Sequence, residues 1–261
     1  MDEVKAVTDY NTVKTMGPEE AKAAGMYEVI GKEVDDGYIA ELKKQVIHQD
    51  SIDAAGKELK IVYSPLHGTG NIPARRILKE LGFENVYVVK EQELPDGEFP
   101  TVSYPNPEAE EAFELGLKLA KEVDADLVLA TDPDADRLGV YVKDGKSGEY
   151  KVLTGNMSGC LLADYEIGQR KALKGLPDDG FLIKTIVTSN LADAIAKGYG
   201  IGLIEVLTGF KFIGQQILGF ETTGKGTYLF GFEESYGCLI GTHAMDKDAI
   251  VATMALCEAA A

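Results

Sequence analysis

Short apolar runs recur along this chain, and most are separated by a segment with helical spacing. Residues 59–63, 86–89, 127–130, 138–142, 181–187, 201–206 and 228–230 read as strands. Helical spacing covers 72–81 (stopped at Gly82), 107–123 (capped by Asn106), 155–173, a stretch from the cap Ser189 through Lys197, and 210–220. Strands alternating with helices imply a mostly parallel sheet covered on both faces. The turn Lys143-Asp144-Gly145-Lys146-Ser147-Gly148 interrupts this rhythm, which then restarts. The expected fold class is α/β: two consecutive α/β domains, each a mixed, mostly parallel sheet with helices on both faces. The boundary is placed near 150, giving domains over 36–150 and 151–261. The poorly patterned residues 1–35 read as a remnant or linker with one short helix over 18–24. Helices are also expected over 36–49 and 246–261.

One loop of this framework concentrates charge. After the run 127–130 come Asp132, Asp134 and Asp136, spaced by Pro133 and Ala135 and followed by Arg137. In an extended loop residues i, i+2 and i+4 point the same way, so the three carboxylates converge. Two such charges ~4 Å apart repel by about 4 kcal/mol at an effective dielectric near 20, and Arg137 alone cannot neutralise three. A hard divalent cation can, and magnesium suits because it leaves positions for water and phosphate. A solvated acidic turn is the plainer alternative. An EF-hand fails, because the sixth loop position is Arg137 rather than Gly and the twelfth is Lys143 rather than Glu.

Composition narrows the partners. A net charge of −17 argues against broad nucleic-acid or anionic-membrane binding, while leaving room for a local basic pocket for a phosphorylated metabolite. Cys160, Cys238 and Cys257 are odd in number and lack the close spacing of zinc or redox pairs, which fits a reducing cytoplasm. The acidic N-terminus has no signal-peptide pattern, and no apolar run approaches the ~18 residues needed to span a bilayer.

Four further loops carry candidate groups. Ser64-Pro65-Leu66-His67-Gly68-Thr69-Gly70-Asn71 follows a strand and opens a helix, where backbone amides can hold an anion or simply make a tight turn. It is not the dinucleotide fingerprint, since Pro73 stands at the third glycine position. Lys184 lies mid-strand among apolar residues; it either caps an edge strand or points towards an anionic ligand. Leu207-Thr208-Gly209-Phe210-Lys211-Phe212-Ile213-Gly214 and Gly231-Phe232-Glu233-Glu234-Ser235-Tyr236-Gly237 are polar loops between apolar elements. The second suits hydrogen bonding to vicinal sugar hydroxyls, or is a plain hairpin turn.

Taken in order with Asp246-Lys247-Asp248-Ala249, these loops resemble the α-D-phosphohexomutase superfamily, within it the bacterial phosphoglucomutase branch. The resemblance implies four domains round one cleft, and a phosphoserine that exchanges its phosphoryl group with a hexose 1-phosphate through a bisphosphate. It implies magnesium on Asp132, Asp134 and Asp136, with Arg137 against the same phosphoryl group and Lys184 also catalytic. Glu233 and Ser235 are similar to the pair that reads the sugar hydroxyls. Lys211, Lys247 and His67 are similar to other substrate-binding residues. The implied partners are glucose 1-phosphate, glucose 6-phosphate and the bisphosphate. No Ser-His pair and no Arg-Pro-Ser-Gly-Thr-Glu-Pro-like loop occurs, and Met245 stands where related sequences commonly carry Arg. The chain therefore reads as the central two domains, lacking domains 1 and 4 and inactive alone. Two other functions fit part of the pattern. A haloacid-dehalogenase-type phosphatase would use Asp132 as nucleophile, and a noncatalytic sugar-phosphate-binding module would keep the fold without the chemistry.

Overall fold

A computed structural model describes residues 2–261; Met1, the first residue of the expected 1–35 stretch, lies outside the described residues. The chain forms two units, one up to Tyr38 and one from Ile39 to Ala261. The first holds α1 (Asp2–Ala6), a 3-10 turn (Tyr10–Thr12) and α2 (Pro18–Ala23), none with a buried residue. Pro18 opens α2, where its missing N–H would have no partner anyway.

The helix expected over 36–49 is instead two, α3 (Gly31–Lys43) and α4 (Gln49–Ala55). The amides of Ile47 and His48 donate to Glu258 Oε1 at 2.9 and 2.7 Å rather than to carbonyls one turn back. A carboxylate brought in from the far end of the chain thus breaks a pattern that looks continuous locally.

The first sheet runs β2 (Asn85–Val88), β1 (Lys60–Ser64), β3 (Leu127–Thr131), β4 (Leu138–Lys143), β5 (Tyr150–Leu153). The first three are parallel; β4 and β5 each pair antiparallel with the strand before. Strand β5 escapes the sequence pattern because it is a half-exposed edge without alternation. Alternation puts Val62, Val128 and Ala130 on one face, where they pack with Ala112, Phe113 and Ala120. Those last residues belong to a 3-10 turn (Glu110–Phe113) and to α6 (Glu114–Val123). The helix expected from 107 starts only at Glu114: Asn106 Oδ1 accepts from Glu108 N at 2.9 Å, making a local turn instead of a cap. Helix α5 (Asn71–Leu81) connects β1 to β2 and stops at Gly82, whose φ of +114° suits glycine.

The second sheet runs β7 (Gly202–Val206), β6 (Gly180–Thr185), β8 (Thr227–Phe232), β9 (Cys238–Leu239), the first three parallel and β9 antiparallel. Helices α7 (Gly155–Lys174) and α8 (Leu191–Tyr199) pack on β8 and β6 respectively and on each other. Helix α9 (Lys211–Thr223) covers the other face, with Ile213 and Ile217 against Ile183 and Leu239.

Helix α10 (Ala249–Ala260) joins the two sheets. Its residues from Ala249 to Glu258 are all buried, among α4, α5, α7, β4 and β9. A helix apolar on every side needs such surroundings. Ile250, Met254 and Leu256 each contribute about 1.5–3 kcal/mol by leaving water. Asp248 starts the helix, accepting from Ile250 N and Val251 N.

Candidate functional site

The acidic loop (132–137) joins β3 to β4, and the loop 233–237 joins β8 to β9. Both therefore leave the end of an interior parallel strand and return antiparallel beside it. They meet: Leu138 N donates to Tyr236 O at 3.0 Å, and Arg137 and Gly237 form an isolated antiparallel bridge.

Asp132 is fully buried at the end of β3. Its Oδ1 accepts from Asp136 N (3.0 Å) and Arg137 N (2.9 Å), and its Oδ2 from Arg137 Nε (2.6 Å). The loop is not extended. Ala135 N bonds back to Asp132 O at 3.0 Å, and Ala135 sits in the left-handed region with φ +58°. The carboxylates converge all the same, because the turn brings the chain round. One oxygen each from Asp132, Asp134 and Asp136 lies within 4.8 Å of the others. Opposite oxygens round a magnesium ion are roughly 4.2 Å apart, so a small rotation of exposed Asp134 closes the set. Three hard oxygen donors with a residual negative charge fit that ion.

Burial pushes the Asp132 carboxyl up to about 6, against the hydrogen bonds from Arg137 and helped by Asp136. Burial works to lower the Arg137 pKa, yet Asp132, Asp136 and Glu108 hold it above the usual arginine value. Arg137 Nη1 also reaches Asn106 Oδ1 (3.3 Å) and Glu108 Oε1 (3.4 Å). Asn106 and Glu108 were not singled out from sequence as site residues, since an Asx turn gives no sign of what lies opposite it.

The Gly-containing turn supports the acidic loop from below. A Cβ on Gly68 would stand 2.3 Å from Pro133 Cα, and Thr69 N donates to Pro133 O at 2.8 Å. The amides of His67 and Gly68 go to Gln92 O and Pro65 O. The amides of His67, Gly68 and Thr69 are thus engaged in the tight turn itself. His67 itself is buried, with Nδ1 against Leu94 O (3.1 Å) and Nε2 against Thr101 Oγ1 (2.9 Å).

In the second loop Glu233 is buried and Oε1 accepts from Gly209 N at 2.9 Å, tying it to the Thr208–Gly214 loop. Burial raises its pKa above the usual glutamate value, against the Gly209 hydrogen bond and Lys247. Glu234 turns inward to the hydroxyls of Thr185 (2.9 Å) and Thr188 (3.0 Å). Tyr236 takes φ +68°. Ser235 is part-exposed on the same loop, and Lys211 is exposed at the start of α9 with its ammonium 5.0 Å from the Phe212 ring centroid. Lys247 comes from beyond β9: its Nζ meets Asp136 Oδ2 at 2.9 Å and Asp246 Oδ1 at 3.4 Å.

Lys184 is elsewhere in its ion pairing. Its strand β6 is interior, so it caps no edge. The side chain is 0% exposed, with Nζ at 2.7 Å from Asp193 Oδ2 and 3.3 Å from Glu205 Oε2. Burial works to lower its pKa, but these two carboxylates keep it above the usual lysine value.

Residues 36–145 match the family described as phosphoglucomutase/phosphomannomutase, alpha/beta/alpha domain II, and residues 154–261 match domain III of the same description. The chain belongs to the phosphoglucomutase/phosphomannomutase family. It is 39% identical over 229 residues to a phosphoglucomutase of Staphylococcus saprophyticus, covering 87% of this chain and 39% of that protein. It is 38% identical over 232 residues to a probable phosphomannomutase of Haemophilus influenzae, covering 87% of this chain and 43% of that one. Among solved structures, a putative phosphomannomutase from Thermus thermophilus shares the fold, with a TM-score of 0.71 at 23% identity over 94% of this chain and 53% of that one. The chain thus spans about two fifths of the length of these curated relatives, corresponding to domains II and III of the α-D-phosphohexomutase superfamily.

Proposed function

We propose that this chain is the metal-binding and sugar-recognising part of a magnesium-dependent phosphoglucomutase. The complete enzyme would interconvert glucose 1-phosphate and glucose 6-phosphate through a phosphoserine and a bisphosphate intermediate. The observation that carries this reading is the convergence of Asp132, Asp134 and Asp136 directly beside the Glu233–Ser235 loop. Bound magnesium would supply positive charge where negative charge builds up on a transferring phosphoryl group.

Each residue has a distinct part. Asp132, Asp134 and Asp136 hold the ion. Arg137, fixed by the side chains of Asp132, Asn106 and Glu108, presents a guanidinium held towards the phosphoryl position. Glu233 and Ser235 take the sugar hydroxyls, and their loop is held rigid by Glu234 on the two threonines. Lys211 and Lys247 face the anionic end of the substrate. Lys184 acts within the domain, joining α8 to β7 through Asp193 and Glu205. His67 fixes the turn beneath the metal loop.

The chain alone binds Mg2+ and does not isomerise, because no Ser-His pair occurs in it to carry the phosphoryl group. Titration calorimetry with MgCl2 on the wild type and on Asp132→Asn tests the metal site; equal heats from both would overturn it. Measurable conversion of glucose 1-phosphate by the isolated chain would overturn the division of labour. The complete enzyme, assayed on glucose, mannose and ribose phosphates, tests the sugar preference.

A further inference from the structure

We propose that Lys247 is a displaceable counter-ion of the acidic loop, so that a divalent cation and an anionic phosphate ester bind cooperatively through this one side chain. The inference rests on the metal reading above and adds to it the consequence of a single ion pair.

The acidic trio carries three negative charges and is met by two cations, Arg137 and Lys247. These two are held differently. Arg137 is planted: its Nε is on Asp132 at 2.6 Å, its own amide bonds the same carboxylate, and its Nη1 lies between Asn106 and Glu108. Lys247 reaches the trio from the other domain by a four-carbon stem, and only its ammonium touches Asp136. That stem runs over Gly237, where a Cβ would stand 2.0 Å from Lys247 Cδ, and the ammonium lies 5.8 Å from the Phe210 ring centroid. The lysine stem occupies the space that a side chain at Gly237 would fill.

A divalent ion placed among the three carboxylates takes Asp136 away from the lysine. The ion and Arg137 then already offset the three carboxylates, and the cation held to the trio by a single ion pair is the one released. Freed, the ammonium stands beside the Glu233–Ser235 loop with no carboxylate partner on the trio, ready for a phosphate oxygen. Asp246, at 3.4 Å, is exposed and gives it only a weak resting place. By reciprocity, an anion that engages Lys247 releases Asp136 and tightens the metal.

Manganese titration followed by electron paramagnetic resonance tests this on the chain as it stands. Lys247→Met keeps the stem and loses the charge; it should bind Mn2+ about tenfold more tightly than wild type, while Lys247→Arg stays near wild type. In an Asp136→Asn background, Lys and Met at 247 should give the same Mn2+ affinity. Adding inorganic phosphate should tighten Mn2+ binding in wild type and not in Lys247→Met. If the Met variant binds Mn2+ equally or more weakly while the wild type binds it, the lysine inference falls and the metal site stands. If neither binds Mn2+, both fall.

Discussion

The two halves of the candidate site are topological equivalents that differ in what they do with charge. Each sheet places two parallel strands and a third beside them, then turns back through a short loop into an antiparallel strand. Each loop has one non-glycine residue in the left-handed region, Ala135 in one and Tyr236 in the other. Each is pressed against a glycine from a neighbouring element, Gly68 under Pro133 and Gly155 under Glu234. The first loop gathers carboxylates that repel one another and hold cations. The second disperses its two carboxylates, Glu233 to an amide and Glu234 to two hydroxyls. One architecture therefore holds acids that converge in one loop and acids that are satisfied singly in the other.

The largest break in this comparison is expected at Asp132. Asp132→Ala should reduce Mn2+ affinity by more than about a hundredfold and cost about 3 kcal/mol in urea unfolding, because two amides and Arg137 lose their acceptor. Glu234→Gln, in the second loop, should leave Mn2+ affinity within about twofold and cost about 1 kcal/mol.

The second half has its own titrating carboxyl. Glu166 on α7 is buried beside Arg170, and burial pushes it up to about 7 from an ordinary 4.5. The folded chain thus keeps a proton that the unfolded chain loses near 4.5. This stabilisation is complete below that pH and disappears as pH rises through about 7. Chemical denaturation between pH 4.5 and 8 should show up to about 3 kcal/mol of this loss, and Glu166→Gln should flatten it.

The paired glycines sharpen the comparison. Gly68→Ala and Gly155→Ala each drive a Cβ into backbone, at 2.3 Å from Pro133 Cα and 2.0 Å from Glu234 O, costing about 2 kcal/mol each. Only the first should weaken Mn2+ binding. A further effect is that of pH on the metal. With Asp132 titrating at about 6, Mn2+ affinity should fall about tenfold per unit below pH 6 and level off above it. A flat profile from pH 5 to 7 contradicts a role for Asp132 as ligand.

Much of this was visible in the residues because local rules governed it. The strands β1, β3, β6 and β8 are short apolar runs, and the three aspartates do converge, though through a turn at Ala135 rather than along the extended loop that their spacing suggests. What stayed hidden depends on distant partners. The break between α3 and α4 is made by Glu258, more than two hundred residues away. The late start of α6 follows from Asn106 using its oxygen on Glu108, and β5 is too exposed to show a pattern. Lys184 illustrates the same limit: its sequence context shows a lysine among apolar residues, but not the two carboxylates, from α8 and β7, that already answer it.

The wholly enclosed helix α10 has a consequence for synthesis. Its partners α4 and α5 leave the ribosome well over a hundred residues earlier, and the part of their surface that α10 covers stays uncovered until residues 249–260 arrive. The first sheet is thus a patient intermediate during translation, and a nascent chain halted just before Ala249 is where chaperone capture should be strongest.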